Sequence, residues 1–160
     1  MEIGCVRATP KSLPLVLLGA GVLGSPLACK AEEPGFTAPM TLGGRVVPAA
    51  TLEQGRDLYR MHCASCHGEA GAGDGPAAKA LTYPPRDFRA AEFSFAPAGE
   101  LPSHEALVER IRTGAPDRGM PTWKGMRDED LSALADYIKT FSPRWSEPSA
   151  AVEQAPGVEA

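Results

Sequence analysis

The sequence predicts an all-α domain of about three to five short helices joined by long loops. Three stretches carry apolar residues at helical spacing, whereas no stretch shows a strand-rich pattern. The 17 glycines and 16 prolines among 160 residues indicate that much of the remaining chain is loop. Three short helices bury little apolar surface, so we expect something other than protein to complete the core.

The three predicted helices lie at 51–63, 103–114 and 128–143. Thr51 and Gln54 form a capping box at the start of the first, and a serine and an aspartate suit the N-caps of the other two. A glycine ends the second helix and a proline ends the third. The apolar faces carry, in turn, Leu52, Gly55, Leu58 and Tyr59; Leu107, Val108 and Ile111; Leu131, Leu134, Ala135, Ile138 and Phe141.

The most informative motif is Cys-Ala-Ser-Cys-His at residues 63–67, at the end of the first predicted helix. On a helical turn, Cys63, Cys66 and His67 face the same way, so one flat ligand can meet all three. Cys-x-x-Cys-His is the attachment signature of c-type haem, in which two thiols form thioethers and the imidazole binds iron. The sequence therefore predicts one covalent haem c, which would also supply the missing core.

Two other chemistries use cysteine pairs. A thioredoxin-like Cys-x-x-Cys follows a strand in a βαβ unit, but the residues before Cys63 predict a helix. A structural zinc site needs four ligands, usually as two separated pairs, and downstream of the motif His104 stands alone. Both patterns therefore fit the sequence poorly.

Residues 1–28 are predicted to be a signal peptide. Basic residues precede an apolar run over 13–28, whose 16 residues would span about 24 Å as a helix, less than a bilayer core. Cys29 closes this run and resembles the acylated cysteine of bacterial lipoproteins, although proline replaces the usual leucine three residues earlier. Ordinary cleavage near Ala28 or Ala31 is the alternative. We expect an exported, periplasmic protein with membrane contact through a lipid on Cys29.

The segments on either side of the helical region are predicted to be irregular. Residues 29–50 are rich in proline and glycine with little periodicity, which is typical of a flexible tether. Residues 143–160 are rich in proline, alanine, serine and glutamate and are predicted to be a disordered tail, although Trp145 could pack on the domain. The folded domain is therefore expected at 51–142.

The charge of the chain excludes one class of partner. The formal net charge of −4 becomes −5 once the signal peptide is removed, because two basic residues and one acidic residue are lost. Nucleic-acid binding is not expected of such a chain. A docking partner would present a basic or largely apolar surface.

Residues 51–142 resemble the single-haem class I cytochromes c: a helix leads into Cys-x-x-Cys-His, and a glycine- and proline-rich loop, a Met-Pro pair and a final helix follow. The resemblance implies that Met120, which precedes Pro121, is the sixth iron ligand opposite His67. It also implies that the Pro76 carbonyl orients His67 through a hydrogen bond. Gly55 and Tyr59 would cross Leu134 and Tyr137, and Arg86, Arg112 and Trp123 are candidate propionate donors.

Other residues could in principle bind the iron. Met126 is the chief competitor of Met120, but it is expected to pack against the haem ring or the last helix. Met61 and His62 immediately precede the motif, which ties them to the proximal side. His104 could make a bis-histidine site, although a surface position is expected for it.

The resemblance implies an electron-transfer protein rather than an enzyme, carrying one electron at a time in a bacterial respiratory or other periplasmic redox chain. Its partners would be redox proteins, such as donor and acceptor cytochromes or membrane oxidoreductases. Two alternatives stay open. The chain could be a haem subunit of a larger oxidoreductase complex, or a ligand-binding or peroxidase-like haem protein if Met120 does not bind the iron.

Overall fold

The computed structural model describes residues 34–146. In this part of the chain four helices and one small hairpin of two strands confirm the predicted mostly helical fold, that of a small cytochrome c. The elements are β1 (Met40–Leu42), β2 (Arg45–Val47), α1 (Ala49–His62), α2 (Ala64–His67), α3 (His104–Thr113) and α4 (Asp128–Lys139), with single 3₁₀ turns at Ala78–Ala80, Pro116–Arg118 and Pro143–Trp145.

Helices α1 and α4 cross in close contact, as the resemblance to the class I cytochromes c implies. A Cβ atom added to Gly55 would lie 2.2 Å from the Ala133 carbonyl oxygen and 2.7 Å from Cβ of Tyr137. Only glycine therefore permits this approach of the two backbones. Tyr59, one turn further along α1, is fully buried against Tyr137, with ring centroids 5.3 Å apart.

The Tyr59 hydroxyl links this crossing to the haem-binding motif. It donates a 2.7 Å hydrogen bond to the carbonyl of Gly68, the residue that follows α2. Burial raises the pKa of Tyr59 well above its ordinary value, so the hydroxyl keeps the proton that this bond needs. The end of α2 is thereby fixed relative to the two longest helices.

The predicted tether over 29–50 is wrong for its described part, because residues 40–47 form a packed antiparallel hairpin. Gly43 and Gly44 both have positive φ angles, 58° and 77°, at its two-residue turn. Leu42 and Val47 are buried in the core. Before the hairpin, Phe36 makes an edge contact with Tyr137 on α4. The predicted signal peptide at 1–28 and residues 29–33 lie outside the described residues.

The predicted domain end at residue 142 is also too early. Trp145 is only 3 % exposed, and its carbonyl accepts a 2.7 Å hydrogen bond from the Gly43 amide at the hairpin turn. Hairpin and C-terminal turn therefore stabilise each other, a pairing that no local pattern contains. Residues 147–160 of the predicted tail lie outside the described part of the chain.

Two helix starts differ from the predictions. Helix α1 begins at Ala49 after Pro48, so the expected capping box at Thr51 falls inside the first turn. Asp128 is the first residue of α4 rather than its cap, and its carboxylate lies 3.0 Å from the Arg112 guanidinium. The expected cap of α3 is confirmed, because the Ser103 hydroxyl accepts from the Ala106 amide. Among residues 34–146 no helix is long and apolar enough to cross a bilayer.

Candidate haem-binding site

The junction of α1 and α2 places the motif. The Cys63 amide donates to the Tyr59 carbonyl, and the His67 amide donates to the Cys63 carbonyl, at 2.8 and 2.9 Å. Hydrogen bonding thus passes from one helix into the other. As a result, Cys63, Cys66 and His67 all line one cavity, as the i, i+3, i+4 spacing predicts.

A glycine-rich loop packs under α2 and holds it in place. The amides of Gly75 and Ala77 donate to the carbonyls of Cys66 and Ser65, at 3.1 and 2.8 Å. A Cβ atom on Gly75 would lie 2.4 Å from the Ser65 carbonyl oxygen. The glycine here is therefore required by a close backbone contact that satisfies the last carbonyls of a short helix.

The cavity has a volume of about 420 Å³, within the usual range for a small-molecule or cofactor site. Its walls are mainly apolar, and their large apolar side chains come from the loop after α2, from α3 and from α4. The lining includes Leu81, Phe88, Phe93, Phe95, Leu107, Ile111 and Ile138. A flat apolar macrocycle is the kind of group that such walls accommodate.

Met120 also lines this cavity, on the loop that follows α3. Its amide and carbonyl pair with those of Ala115, at 3.1 and 3.0 Å, which makes a small closed loop. At the start of that loop, a Cβ atom on Gly114 would lie 2.1 Å from the Pro121 carbonyl oxygen. The structure therefore brings the Met-Pro pair to the same cavity as the haem-binding motif.

The competing iron ligands are placed differently. Met126 is absent from the cavity wall and packs against the core, whereas Met61 is 73 % exposed. His104 lies away from the cavity, where its ring nitrogens approach Ser132 Oγ and Lys139 Nζ, each at 2.9 Å. The expected surface position for His104 is wrong, since its side chain is only 10 % exposed. His62 does line the cavity, beside Cys63.

The structure corrects the role expected of Pro76. Pro76 is exposed, and the Nδ1 atom of His67 instead lies 3.2 Å from the carbonyl oxygen of Arg86. Because a carbonyl only accepts, this contact requires the proton on Nδ1 and leaves a lone pair on Nε2. Burial lowers the pKa of His67, although the Arg86 carbonyl opposes that shift, and this favours the neutral ring that an iron ligand requires.

The imidazole ring of His67 has a second support that sequence reasoning missed. It stacks on Phe88, with centroids 4.5 Å apart and planes 16° from parallel. Phe88 is itself held by a 2.7 Å hydrogen bond from its amide to the Gly71 carbonyl. The signal in the sequence was the Pro-Pro-Arg-Asp-Phe run at 84–88, which fixes both the Arg86 carbonyl and the Phe88 ring.

Cys63 does not have the character of a redox-active thiol. Burial, together with the neighbouring Cys66, raises the pKa of Cys63 to about 12. Catalytic Cys-x-x-Cys sites have lowered thiol pKa values, and they follow a strand rather than a helix. Among the described residues no group of three or more His, Cys, Asp or Glu side chains is arranged to hold a metal ion.

Basic side chains surround part of the cavity. Arg86, Arg110 and Arg118 line it together with a single carboxylate, that of Asp117. Of the expected propionate donors, Arg86 and Trp123 line the cavity, but Arg112 does not and pairs with Glu109 and Asp128. Apolar walls with guanidinium groups suit haem, a mainly apolar ring with two carboxylates. These residues therefore fit the cofactor that the motif predicts.

Comparison with known proteins also indicates a haem-binding protein. The family model described as cytochrome C oxidase, cbb3-type, subunit III matches residues 50–138, more than half of the chain. Among solved structures, a chain of the Kuenenia stuttgartiensis reducing HAO-like protein complex is similar, with 32 % identity and a TM-score of 0.54. The similarity covers 64 % of this chain and 49 % of that one, so this chain spans about half the length of the protein it matches.

Three observations agree on a bound haem: the attachment motif, the cavity that its side chains line, and the family match, which covers the residues of both. The predicted cofactor, one covalent haem c with its iron, is confirmed, and the general role that accompanies it is electron transfer. This chain belongs to the cytochrome c family represented by subunit III of cbb3-type cytochrome c oxidase.

Proposed function

We propose that this protein carries one electron at a time, with His67 and Met120 as the two axial ligands of the haem iron. The observation that supports this most directly is that Met120 and His67 line the same cavity. Cys63 and Cys66 would hold the ring, and Arg86, Arg110 and Arg118 are placed to meet its carboxylates. The haem would supply an iron that changes oxidation state by one electron.

The protein's part in this function is to keep the site rigid. The Arg86 carbonyl and the Phe88 ring fix the imidazole plane, and the backbone pairing of Ala115 with Met120 closes the loop that carries the thioether. His/Met ligation tends to raise a reduction potential, and an iron with six ligands has no open position for a substrate. These properties favour a carrier over a ligand-binding or peroxidase-like haem protein.

Replacing each methionine in turn tests this assignment. Met120→Ala should convert the ferric haem from low spin to high spin, abolish the weak far-red band of a methionine–iron(III) bond, and lower the potential. Met126→Ala is the matched control, since Met126 packs on the core outside the cavity wall, and it should keep the band. The reverse pattern would assign the ligand to Met126, and an unchanged spectrum in both variants would exclude methionine ligation.

A fixed place in a larger oxidoreductase complex is the second candidate. The similar Kuenenia stuttgartiensis chain is part of a protein complex, and it matches over nearly two thirds of this chain. Redox proteins would be the partners in either case. Purification from native membranes under mild conditions separates the two, because a subunit elutes with its partners and a shuttle elutes alone.

We also propose that the mature protein is exported to the periplasm and tethered through a lipid on Cys29. Acyl chains contribute about 0.8 kcal/mol per buried methylene, so several chains on one cysteine hold a domain firmly at a bilayer. The described domain begins at Pro34, five residue steps after Cys29, which is about 18 Å of fully extended chain at most. Such a domain would stay close to the membrane rather than swing on a long tether.

The anchor is tested by Cys29→Ser. This variant should move the haem protein from the membrane fraction to the soluble fraction without changing its spectrum. Wild-type protein that is already soluble, with a mature N-terminus after Cys29, would contradict the lipid anchor and indicate a free periplasmic carrier.

A further inference from the structure

The backbone hydrogen bonds of the loop that presents Met120 fasten it to only one side of the cavity, that of α3. All backbone hydrogen bonds described for residues 114–126 stay within the loop or reach α3. The Trp123 amide, for example, donates to the Arg112 carbonyl at 2.9 Å. Helix α1, which leads into the haem-binding motif, receives none of them. A methionine thioether is a weak ligand, so something must hold this loop toward the opposite wall of the cavity.

One ring contact joins this loop to α1, whereas the contact of Arg118 with the Tyr83 ring joins it to the loop after α2. The indole of Trp123, three residues after Met120, lies against the imidazole of His62 in the last turn of α1, with ring centroids 5.0 Å apart and planes at 58°. Both residues line the haem cavity and both are half-buried. His62 is directly followed by Cys63, so this contact joins the two sides of the site where the haem would be attached.

We propose that the His62–Trp123 pair clamps the Met120 loop against α1 and thereby holds Met120 at the sixth position of the iron. The inference rests on the proposed function, because it needs Met120 to be a ligand. His62 and Trp123 are positioning residues that act through Met120. Tilted aromatic pairs contribute enough free energy to change the population of an open loop by about threefold to tenfold.

The prediction concerns how readily an external ligand displaces Met120. An added ligand binds only molecules in which the thioether has left the iron, so its apparent affinity rises in proportion to that population. In the ferric full-length holoprotein, His62→Ala and Trp123→Ala should each tighten imidazole binding by about threefold to tenfold. The far-red methionine–iron(III) band should also disappear on heating well before the helices unfold.

The combined variant tests whether the two rings act on each other. If they form one clamp, the double variant should resemble either single variant, whereas independent effects would multiply. His62→Phe keeps an aromatic ring and should stay within about twofold of wild type, because edge contacts need a ring and not an imidazole. Met61→Ala, at a neighbouring side chain that is 73 % exposed, is the matched control and should change nothing.

Three results would overturn the clamp: single variants with wild-type imidazole affinity, single effects that multiply, or His62→Phe behaving like His62→Ala. That last result would show that an aromatic ring at position 62 is not what holds the loop. If Trp123→Ala does not fold, the two His62 variants decide the question alone. A Met120→Ala protein with an unchanged spectrum would instead refute the proposed ligation, which keeps the two failures distinguishable.

Discussion

The α1–α4 crossing and the haem cavity lie on the same helix but are completed in opposite ways. At the crossing, protein atoms fill the space so closely that Gly55 cannot carry even a methyl group. At the end of α1, the side chains enclose about 420 Å³ that no protein group fills. The crossing is thus a framework that the chain makes by itself, and the cavity side depends on haem for its core.

The largest effect should come from removing the covalent attachment. The double variant Cys63→Ala, Cys66→Ala cannot attach haem covalently, so the cavity walls lose the tethered group that completes their packing. We expect the chain to be largely unfolded at room temperature, as judged by far-UV circular dichroism and the absence of a cooperative thermal transition. A helical, cooperatively melting haem-free protein would show that the crossing suffices for the whole fold.

A smaller effect is expected at the crossing. Gly55→Ala forces a methyl group into the Ala133 carbonyl and Tyr137, and overpacking of this kind costs about 3 kcal/mol of unfolding free energy. Gly125→Ala is the matched control, because a Cβ atom there meets nothing within 4 Å. Urea unfolding of both holoproteins measures the difference. Equal stability of the two variants would contradict the close crossing.

The smallest effect concerns a buried polar cluster that Asp136 and Lys139 of α4 form with His104 of α3. An Asp136 oxygen lies 3.1 Å from Lys139 Nζ and 3.3 Å from His104 Nδ1. Burial opposes the charged carboxylate, but the hydrogen bond from His104 and the charge of Lys139 outweigh it, so the pKa of Asp136 is lowered. Burial lowers the pKa of Lys139, against the attraction of Asp136.

The lowered pKa of Asp136 determines how its contribution to the unfolding free energy changes with pH. The contribution of Asp136 is complete above the ordinary pKa of 3.8 and is lost as the pH falls through the lower value in the folded state. The unfolding free energy of wild type should therefore fall more steeply below about pH 4 than that of Asp136→Asn. Parallel pH profiles, measured by urea unfolding, would show that the carboxylate is not stabilised by its neighbours.

The sequence predicted the parts of the molecule whose signals are local. The stripes on α1, α3 and α4 follow helical spacing, and the Cys-x-x-Cys-His run determines its own geometry within one turn. The Gly43-Gly44 pair at the hairpin turn was also a local signal that sequence reasoning missed. Its strands are short, and they are stable because Trp145, a hundred residues later, packs over the turn.

Other features depend on contacts that no spacing reveals. Whether a histidine meets the carbonyl of Pro76 or of Arg86 depends on the path of a loop, and here the Phe88 stack brings Arg86 to the ring. His104 looked like a surface residue because its partners, Asp136 and Lys139, lie on a different helix. In both cases the partners of the histidine side chain are determined by tertiary packing rather than by the local sequence.

The central claim is that one haem is bound covalently in the cavity through Cys63 and Cys66. The most direct measurement is to denature the purified full-length protein in acid, extract it with organic solvent, and determine the mass of the peptide that contains residues 63–67. We predict that the colour stays with the polypeptide and that this peptide carries the mass of one haem. Colour in the solvent together with an unmodified peptide would contradict the account.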